Sequence, residues 1–151
     1  MKTILIAEDE ASAKTLYMAA FSSRPDWKVV FAHTGQEALD LARSLLPSLA
    51  LLDIRMPVVD GIEVCRQLRA STETSKIPII FVSAFAQPSA KAAAEEAGGD
   101  AFVSKPFGVK ELLNVIDDYT QVAPPKQLRE SAAFKNAAAA TLGSRTSRRT
   151  R

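Results

Sequence analysis

The stretch that decides the fold is Leu49–Gly61, with the sequence LALLDIRMPVVDG. It opens with an apolar run too short for a helix, and this run ends at one ionisable residue, Asp53. Such a run is typical of a buried parallel strand, and open α/β sheets place their chemistry at the carboxyl ends of these strands. Pro57 disfavours a helix directly after the strand, and Asp60-Gly61 is typical of a turn. We therefore predict that Asp53 lies at a strand end before a loop, although a surface Asp that only ends the strand fits this stretch equally well.

The rest of the chain alternates short apolar runs with longer segments of helical periodicity. We predict strands at Thr3–Ala7, Lys28–Ala32, Leu49–Asp53, Ile79–Ser83 and Asp100–Ser104. We predict helices at Ala11–Phe21, Gly35–Leu46, Ile62–Ala70 and Ser89–Ala97, and a fifth whose core stripe is Val109, Leu112, Leu113 and Ile116. Further predicted core positions are Leu16, Ala20, Ala38, Leu41, Ala42 and Leu45. Successive βα units indicate an α/β fold, a doubly wound five-stranded parallel sheet with the flavodoxin-like strand order 2-1-3-4-5.

Composition favours one main domain in a reducing compartment. The chain has 151 residues, of which 47 % are hydrophobic, enough for one sizeable core. The single cysteine, Cys65, excludes an internal disulfide, and its apolar neighbours favour a packing role over a reactive thiol. No apolar run approaches the roughly 20 residues of a membrane-spanning helix. Acidic residues from Glu8 onward interrupt any signal-peptide core, so we expect a cytoplasmic protein without a membrane partner.

Charge divides the chain into an acidic body and a basic extension. Residues 1–121 hold 12 Lys and Arg against 16 Asp and Glu, and residues 122–151 hold 7 against 1. The boundary is near Pro124-Pro125; Lys126–Leu142 has good helix propensity, and we expect the terminal SRTSRRTR to be disordered. Three interpretations of the extension stay open: a solubilising tail, a salt-sensitive contact with nucleic acid or another polyanion, or a helix that docks on a partner. No aromatic residue lies between the terminal arginines, so base stacking has no support.

Special residues gather at one edge of the predicted sheet. Glu8 and Asp9 follow the first strand, Asp53 ends the third, Ser83 ends the fourth and Lys105 follows the fifth. Carboxylates converging on one edge repel one another unless a cation is present, and Mg²⁺ is the hard cation that suits oxygen ligands. An ammonium and a hydroxyl beside the metal suit an incoming phosphoryl group. Asp53 is then the natural nucleophile, because carboxylates form aspartyl-phosphate intermediates.

These residues resemble the receiver domain of two-component response regulators, in the stand-alone, single-domain form. The resemblance covers about residues 2–120, and residues 122–151 are too short for a usual helix-turn-helix output domain. It rests on motifs that occur in order and on the expected elements: Glu8-Asp9, Asp53-Ile54-Arg55-Met56-Pro57 with Asp60-Gly61, Ser83-Ala84 and Lys105-Pro106-Phe107. The division that follows is a receiver domain at 1–121 and a basic extension at 122–151.

The resemblance implies a phosphorylation site with Mg²⁺ as cofactor. Asp53 would accept a phosphoryl group from a phosphohistidine on a sensor histidine kinase or a histidine phosphotransfer protein. Asp9 and Asp53 would hold the metal directly, Glu8 through water, and the backbone carbonyl of Arg55 would be a further ligand. The large cationic side chain of Arg55 leads us to the hypothesis that it shields the acyl phosphate or pairs with it, and so tunes dephosphorylation.

The resemblance also implies how the phosphorylation state is read out. Ser83 would hydrogen-bond to the phosphoryl oxygens and Lys105 would pair with them. Phe102, three residues before Lys105, matches the aromatic residue that changes rotamer when the Ser83 side moves, although it could also be only a core residue. The face built from the fourth helix, fifth strand and fifth helix would then bind a downstream protein or serve a phosphorelay.

Two alternatives remain beside this signalling function. A hydrolase with an aspartyl nucleophile usually has a general acid two residues after the nucleophile, where this chain has Arg55, which cannot release a proton at neutral pH. We therefore expect no enzyme acting on external substrates, only a domain that promotes its own phosphorylation and dephosphorylation. A module that binds its partner without phosphorylation is the second alternative, and the intact acidic set disfavours it.

Overall fold

The computed structural model describes residues 1–120, which form five strands and five helices in strict alternation. In chain order they are β1 (Lys2–Ala7), α1 (Ala11–Phe21), β2 (Trp27–Ala32), α2 (Gly35–Leu45), β3 (Leu49–Leu52), α3 (Gly61–Ala70), β4 (Ile79–Ser83), α4 (Pro88–Glu96), β5 (Ala101–Ser104) and α5 (Val109–Thr120). The predicted boundary near residue 121, the helix at 126–142 and the terminal tail lie outside the described residues.

The strands form one parallel sheet in the order β2-β1-β3-β4-β5, which confirms the predicted fold class and strand order. The register pairs Ala7 of β1 with Leu52 of β3, and Ser83 of β4 with Ser104 of β5. Because the last residues of neighbouring strands are paired in this way, the residues that follow them come together at the carboxyl edge of the sheet.

Both faces of the sheet are covered, as the continuous apolar sequences of the inner strands require. On one face, residues such as Leu52 and Phe81 pack with helical residues such as Leu39 and Leu68. On the other face, strand residues such as Ile6 pack against α1 and α5, through side chains that include Tyr17, Phe21, Leu112 and Ile116. The central strand β3 is buried along its whole length.

Three predicted core positions are wrong, and all three lie in helices. Leu16, Leu45 and Val109 are exposed, whereas Tyr17, Ala20 and Phe21 are the buried residues of α1. Lys14 is the only charged residue within α1, so its sequence has no polar face to show which side meets the sheet. Leu45 is the last residue of α2 and Val109 is the first residue of α5, so neither lies in the middle of a helix that packs on the sheet.

Two element boundaries beside Asp53 differ from the prediction. The strand β3 ends at Leu52, so Asp53 is the first residue of the loop rather than the last of the strand. Asp60 and Gly61 do not form a free turn, because the Asp60 side chain accepts a hydrogen bond from the amide of Glu63 at 2.9 Å and caps α3, which starts at Gly61. None of the helices within residues 1–120 is long and apolar enough to cross a membrane.

Candidate functional site

The ends of β1, β3 and β5 bring three ionisable side chains into contact. The ammonium of Lys105 donates a hydrogen bond to Oε1 of Glu8 at 2.7 Å and another to Oδ2 of Asp53 at 3.1 Å. It also lies 4.0 Å from a carboxylate oxygen of Glu10. Glu8 has no exposed surface and Asp53 is 7 % exposed, so a single ammonium bridges two carboxylates that little water can reach.

Burial and charge act in opposite directions on this cluster. Burial raises the pKa of Glu8, and the hydrogen bond and positive charge of Lys105 offset that rise only in part. Burial by itself would lower the pKa of Lys105, but the hydrogen bonds and charges of Glu8 and Asp53 outweigh it, so this pKa is raised. The ammonium therefore stays charged at neutral pH, and a further cation would favour the ionised form of the buried Glu8.

Backbone groups hold the two buried carboxylates in place. The amide of Arg55 donates to Oδ1 of Asp53 at 3.2 Å, and the amide of Glu10 donates to Oε2 of Glu8 at 3.2 Å. A Cβ atom at Gly61 would overlap the carbonyl oxygen of Asp53, so only glycine lets α3 start this close to the strand end. The loop after Asp53 is thereby closed, with the Gly61 amide donating to the carbonyl of Ile54 at 2.9 Å.

Ser83 is buried at the end of β4, with 1 % of its surface exposed. Its hydroxyl oxygen accepts a hydrogen bond from the amide of Phe85 at 3.0 Å. The described hydrogen bond of the Ser83 hydroxyl therefore lies within its own loop, whereas the backbone carbonyl of Ser83 accepts from the amide of Lys105 at 3.0 Å. A hydroxyl at this point can donate to an acceptor while its oxygen keeps the Phe85 amide.

Three acidic side chains at this edge of the sheet are close enough to hold a metal. Carboxylate oxygens of Glu8, Glu10 and Asp53 lie within 4.8 Å of one another, a spacing that a hard cation can bridge. Asp9, predicted as a direct ligand, is exposed and lines the neighbouring cleft, and its role as a ligand stays a prediction. Glu10 was missed, although its place in the acidic run Glu8-Asp9-Glu10 was the available signal. An oxygen-rich set of this kind fits Mg²⁺.

A cleft of about 470 Å³ opens beside the carboxylates. Its lining residues are Asp9, Ile54, Arg55, Met56, Pro57, Asp60 and Phe85. The guanidinium of Arg55 lies over the ring of Phe85, 4.9 Å from its centre, a cation–π distance. Arg55 and Phe85 also line a second cleft beside the loop after β4, so this pair forms the wall between the two openings.

Phe102, the predicted switch aromatic, lies in β5 with its ring turned inward. It is 9 % exposed and stacks on Phe81 of β4, with the ring centres 6.4 Å apart. The ammonium of Lys91 in α4 lies 5.8 Å from the centre of the Phe102 ring on the side of the helix. Phe102 therefore connects the strand that carries Ser83 with the surface of α4.

Comparison with known proteins agrees with this geometry. The family profile of the response regulator receiver domain matches residues 4–117. The response regulator MprA of Mycobacterium bovis is 34 % identical over 132 residues, which are 87 % of this chain and 56 % of that protein. The chain thus spans about half the length of the curated relatives that it matches first.

Other relatives are covered almost completely. The polar-differentiation response regulator DivK of Brucella ovis is 34 % identical over 118 residues, which are 78 % of this chain and 95 % of that protein. Among solved structures, the receiver domain of a sensor histidine kinase from Pseudomonas aeruginosa is 28 % identical, with a TM-score of 0.73. The match covers 79 % of this chain and 97 % of that one, which was solved with a magnesium ion coordinated in its active site cleft. The chain therefore belongs to the response regulator receiver domains of two-component signalling systems.

Proposed function

We propose that this protein is a phosphorylatable switch, in which Asp53 accepts a phosphoryl group from a phosphohistidine of a histidine kinase or a histidine phosphotransfer protein. The observation that carries the proposal is the ammonium of Lys105, held between Glu8 and Asp53 at 2.7 and 3.1 Å. A fixed cation beside a buried but reachable carboxylate can stabilise the charge of a phosphoryl group in transfer.

The residues of the chain divide the work of the transfer. An oxygen of Asp53 forms a bond to phosphorus while the bond from phosphorus to the donor imidazole nitrogen breaks. Lys105 turns from the carboxylates to the phosphoryl oxygens, and Ser83 donates its hydroxyl hydrogen to another. Positioning and electrostatic stabilisation are the main contributions that a protein makes to this chemistry.

A metal site formed by Glu8, Asp9, Asp53 and the backbone carbonyl of Arg55 completes the proposal. The close carboxylate oxygens of Glu8, Glu10 and Asp53 support a cation at this edge, and Asp9 lines the adjoining cleft. When bound, Mg²⁺ neutralises the charge that builds up as the phosphoryl group approaches carboxylates. Glu10 joins the set as a nearby carboxylate that the sequence had not indicated.

The output surface of the switch is the face formed by α4, β5 and α5. Phosphorylation adds about −1.5 to −2 charge next to Ser83, and the loop after β4 responds by new hydrogen bonds. Phe102 transmits this change, because its ring touches Phe81 in the strand that carries Ser83 and lies beneath Lys91 on α4. A downstream protein that binds this face would sense the phosphorylation state. We assign this function to residues 1–121 and treat residues 122–151 as a separate basic extension.

The test is incubation of the purified protein with acetyl phosphate and Mg²⁺, followed by intact-mass measurement. We expect one added phosphoryl group on the wild type, and none on Asp53→Asn or after the metal is chelated. Asp40→Asn is the matched control, because Asp40 is an exposed aspartate on α2 that contacts only Gln36 among the described hydrogen bonds. It should label like the wild type.

The same labelling experiment distinguishes the switch from a binding module that needs no phosphorylation and from a hydrolase. A wild-type protein that takes up no phosphoryl group, under conditions that label another receiver domain, would contradict the proposal and favour a module that binds its partner without phosphorylation. Continuous release of inorganic phosphate from many phosphate esters would instead favour the hydrolase.

A further inference from the structure

We propose that Tyr17 is a positioning residue of the metal-loaded site, whose hydroxyl donates a hydrogen bond to the Glu8 carboxylate, directly or through one water molecule. The inference rests on the proposed function, because it concerns the site at which that function places Mg²⁺. Tyr17 lies in α1, and the sequence motifs did not include it.

The hydroxyl of Tyr17 is buried and has no hydrogen-bond partner among residues 1–120. The residue is 1 % exposed, and within residues 1–120 no hydrogen bond involves its hydroxyl. The other tyrosine of the chain, Tyr119, differs in this respect, because its hydroxyl donates to the carbonyl oxygen of Asp100 at 2.9 Å. A buried polar group without a partner destabilises a fold, so its retention calls for a functional explanation.

Two neighbours place the Tyr17 ring at the edge of the sheet where the site lies. The helix α1 begins at Ala11, directly after the acidic run, and helical side chains lean towards the N-terminus of their helix. Phe107, two residues after Lys105, stacks on the Tyr17 ring with the centres 5.7 Å apart and the planes inclined by 27°. The ring thus lies between the start of α1 and the loop that carries Lys105.

The surrounding charge keeps this hydroxyl a donor. Burial raises the pKa of Tyr17, and the negative charges of Glu8 and Asp53 raise it further. The phenol therefore stays protonated and can donate. A protonated hydroxyl beside carboxylates can only gain by donating to one of them.

Glu8 is the carboxylate that needs such a donor when the site is loaded. In the metal-free protein its two oxygens already accept from Lys105 and from the amide of Glu10. A divalent cation held by these carboxylates would repel Lys105, because like charges repel strongly at short range. Glu8 then loses its nearest donor while remaining fully buried, and the Tyr17 hydroxyl supplies the replacement.

The experiment compares Tyr17→Phe with Tyr119→Phe, since each removes one phenolic oxygen and keeps the ring. Urea unfolding, followed by the fluorescence of the single tryptophan, Trp27, is measured first in chelator and then over a series of Mg²⁺ concentrations. The rise in stability with Mg²⁺ yields the half-saturation concentration of the metal. In chelator, we expect a higher urea midpoint for Tyr17→Phe, because it loses an unsatisfied group, and a lower midpoint for Tyr119→Phe.

The Mg²⁺ series compares the metal affinities of the two variants. We expect the half-saturation concentration to rise about two- to tenfold in Tyr17→Phe, the worth of one hydrogen bond, and to stay unchanged in Tyr119→Phe. An unchanged half-saturation concentration in Tyr17→Phe would overturn the inference, even if its metal-free stability rises. A wild-type protein that Mg²⁺ does not stabilise would contradict the proposed metal site itself, and this inference with it.

Discussion

Val58 has a backbone conformation that its side chain does not favour. Its φ angle is +65°, and the amide of Val59 donates across it to the carbonyl of Pro57 at 2.7 Å. This is a three-residue turn of the strained kind, and a β-branched residue is rare in the left-handed region. The Val58 side chain is fully exposed, so packing does not compensate the strain. The loop beside Asp53 therefore stores conformational energy next to the site.

We expect Val58→Gly to stabilise the protein. The left-handed conformation costs an L-residue roughly 1–2 kcal/mol, and glycine avoids this cost but adds roughly 0.5–1 kcal/mol of unfolded-state entropy. The free energy of unfolding, measured with urea, should rise by about 0.5–1 kcal/mol. Val59→Gly is the matched control and should lower it, because Val59 packs against the core and has no positive φ. A loss of stability in Val58→Gly would contradict the claim that the backbone of Val58 is strained.

Arg55 is the residue at which we expect the lifetime of the phosphoryl group to be set. Its guanidinium lies over Phe85 in the wall of the cleft, where, by the shielding hypothesis, the pair would limit the approach of water to the acyl phosphate. Arg55→Ala removes the cation–π contact, worth about 0.5–1 kcal/mol, and should shorten the phosphoryl half-life about two- to fivefold. The measurement is loss of the added mass with time after labelling. Arg66→Ala, an exposed arginine on α3, is the control. An unchanged half-life in Arg55→Ala would refute the shielding hypothesis.

At the scale of the secondary-structure elements, one arginine joins several of them on the sheet edge opposite the site. Arg69 at the end of α3 donates to the carbonyls of Ser75, Ile77 and Gly98 and pairs with Asp100 at 3.0 Å. Asp100 in turn accepts from the amide of Ile79 at the start of β4, at 2.9 Å. This network fixes where β4 and β5 begin, and therefore where they end beside the site.

We expect Arg69→Ala to be among the more destabilising substitutions of the chain. It leaves three carbonyls and the half-buried carboxylate of Asp100 without their charged donor, which should cost about 3 kcal/mol of unfolding free energy. Arg66→Ala should change it by no more than about 0.5 kcal/mol, because Arg66 makes only an exposed ion pair with Glu63. The check is urea unfolding of both variants, and equal midpoints would contradict the importance of the network.

At the scale of the whole molecule, the two hydrophobic cores are built from residues between 4 and 116. Residues 1–121 carry a net charge of −4 and residues 122–151 a net charge of +6, so the extension opposes the charge of the body. The role of the extension stays a prediction: a solubilising tail, a contact with a polyanion, or a helix that docks on a partner. A polyanion contact would depend steeply on salt, whereas a docked helix would depend on apolar residues such as Leu128 and Phe134.

We expect a protein that ends at residue 121 to keep the unfolding free energy of the full chain within about 0.5 kcal/mol, because each of the two hydrophobic cores found within residues 1–120 is built from many buried residues of that range. Binding of both proteins to a nucleic acid fragment at low and moderate salt decides the polyanion interpretation. Weaker binding by the shortened protein at low salt, with the difference lost at moderate salt, would support a polyanion contact. Equal binding by the two proteins would exclude it.

The sequence by itself determined the fold and most of the residues proposed for the site. The apolar runs that lead to Asp53, Ser83 and Lys105 predict both the buried strands and the site residues at the strand ends. Both follow from the local sequence pattern. Only the tertiary structure shows that Glu10 joins Glu8 and Asp53 within 4.8 Å, that Leu16 is exposed, and that Tyr17 is buried. The sequence does not distinguish the positions of neighbouring acidic side chains. The face of α1 that meets the sheet cannot be read from its sequence either, because Lys14 is its only charged residue. These details depend on how the elements pack, which no single segment specifies.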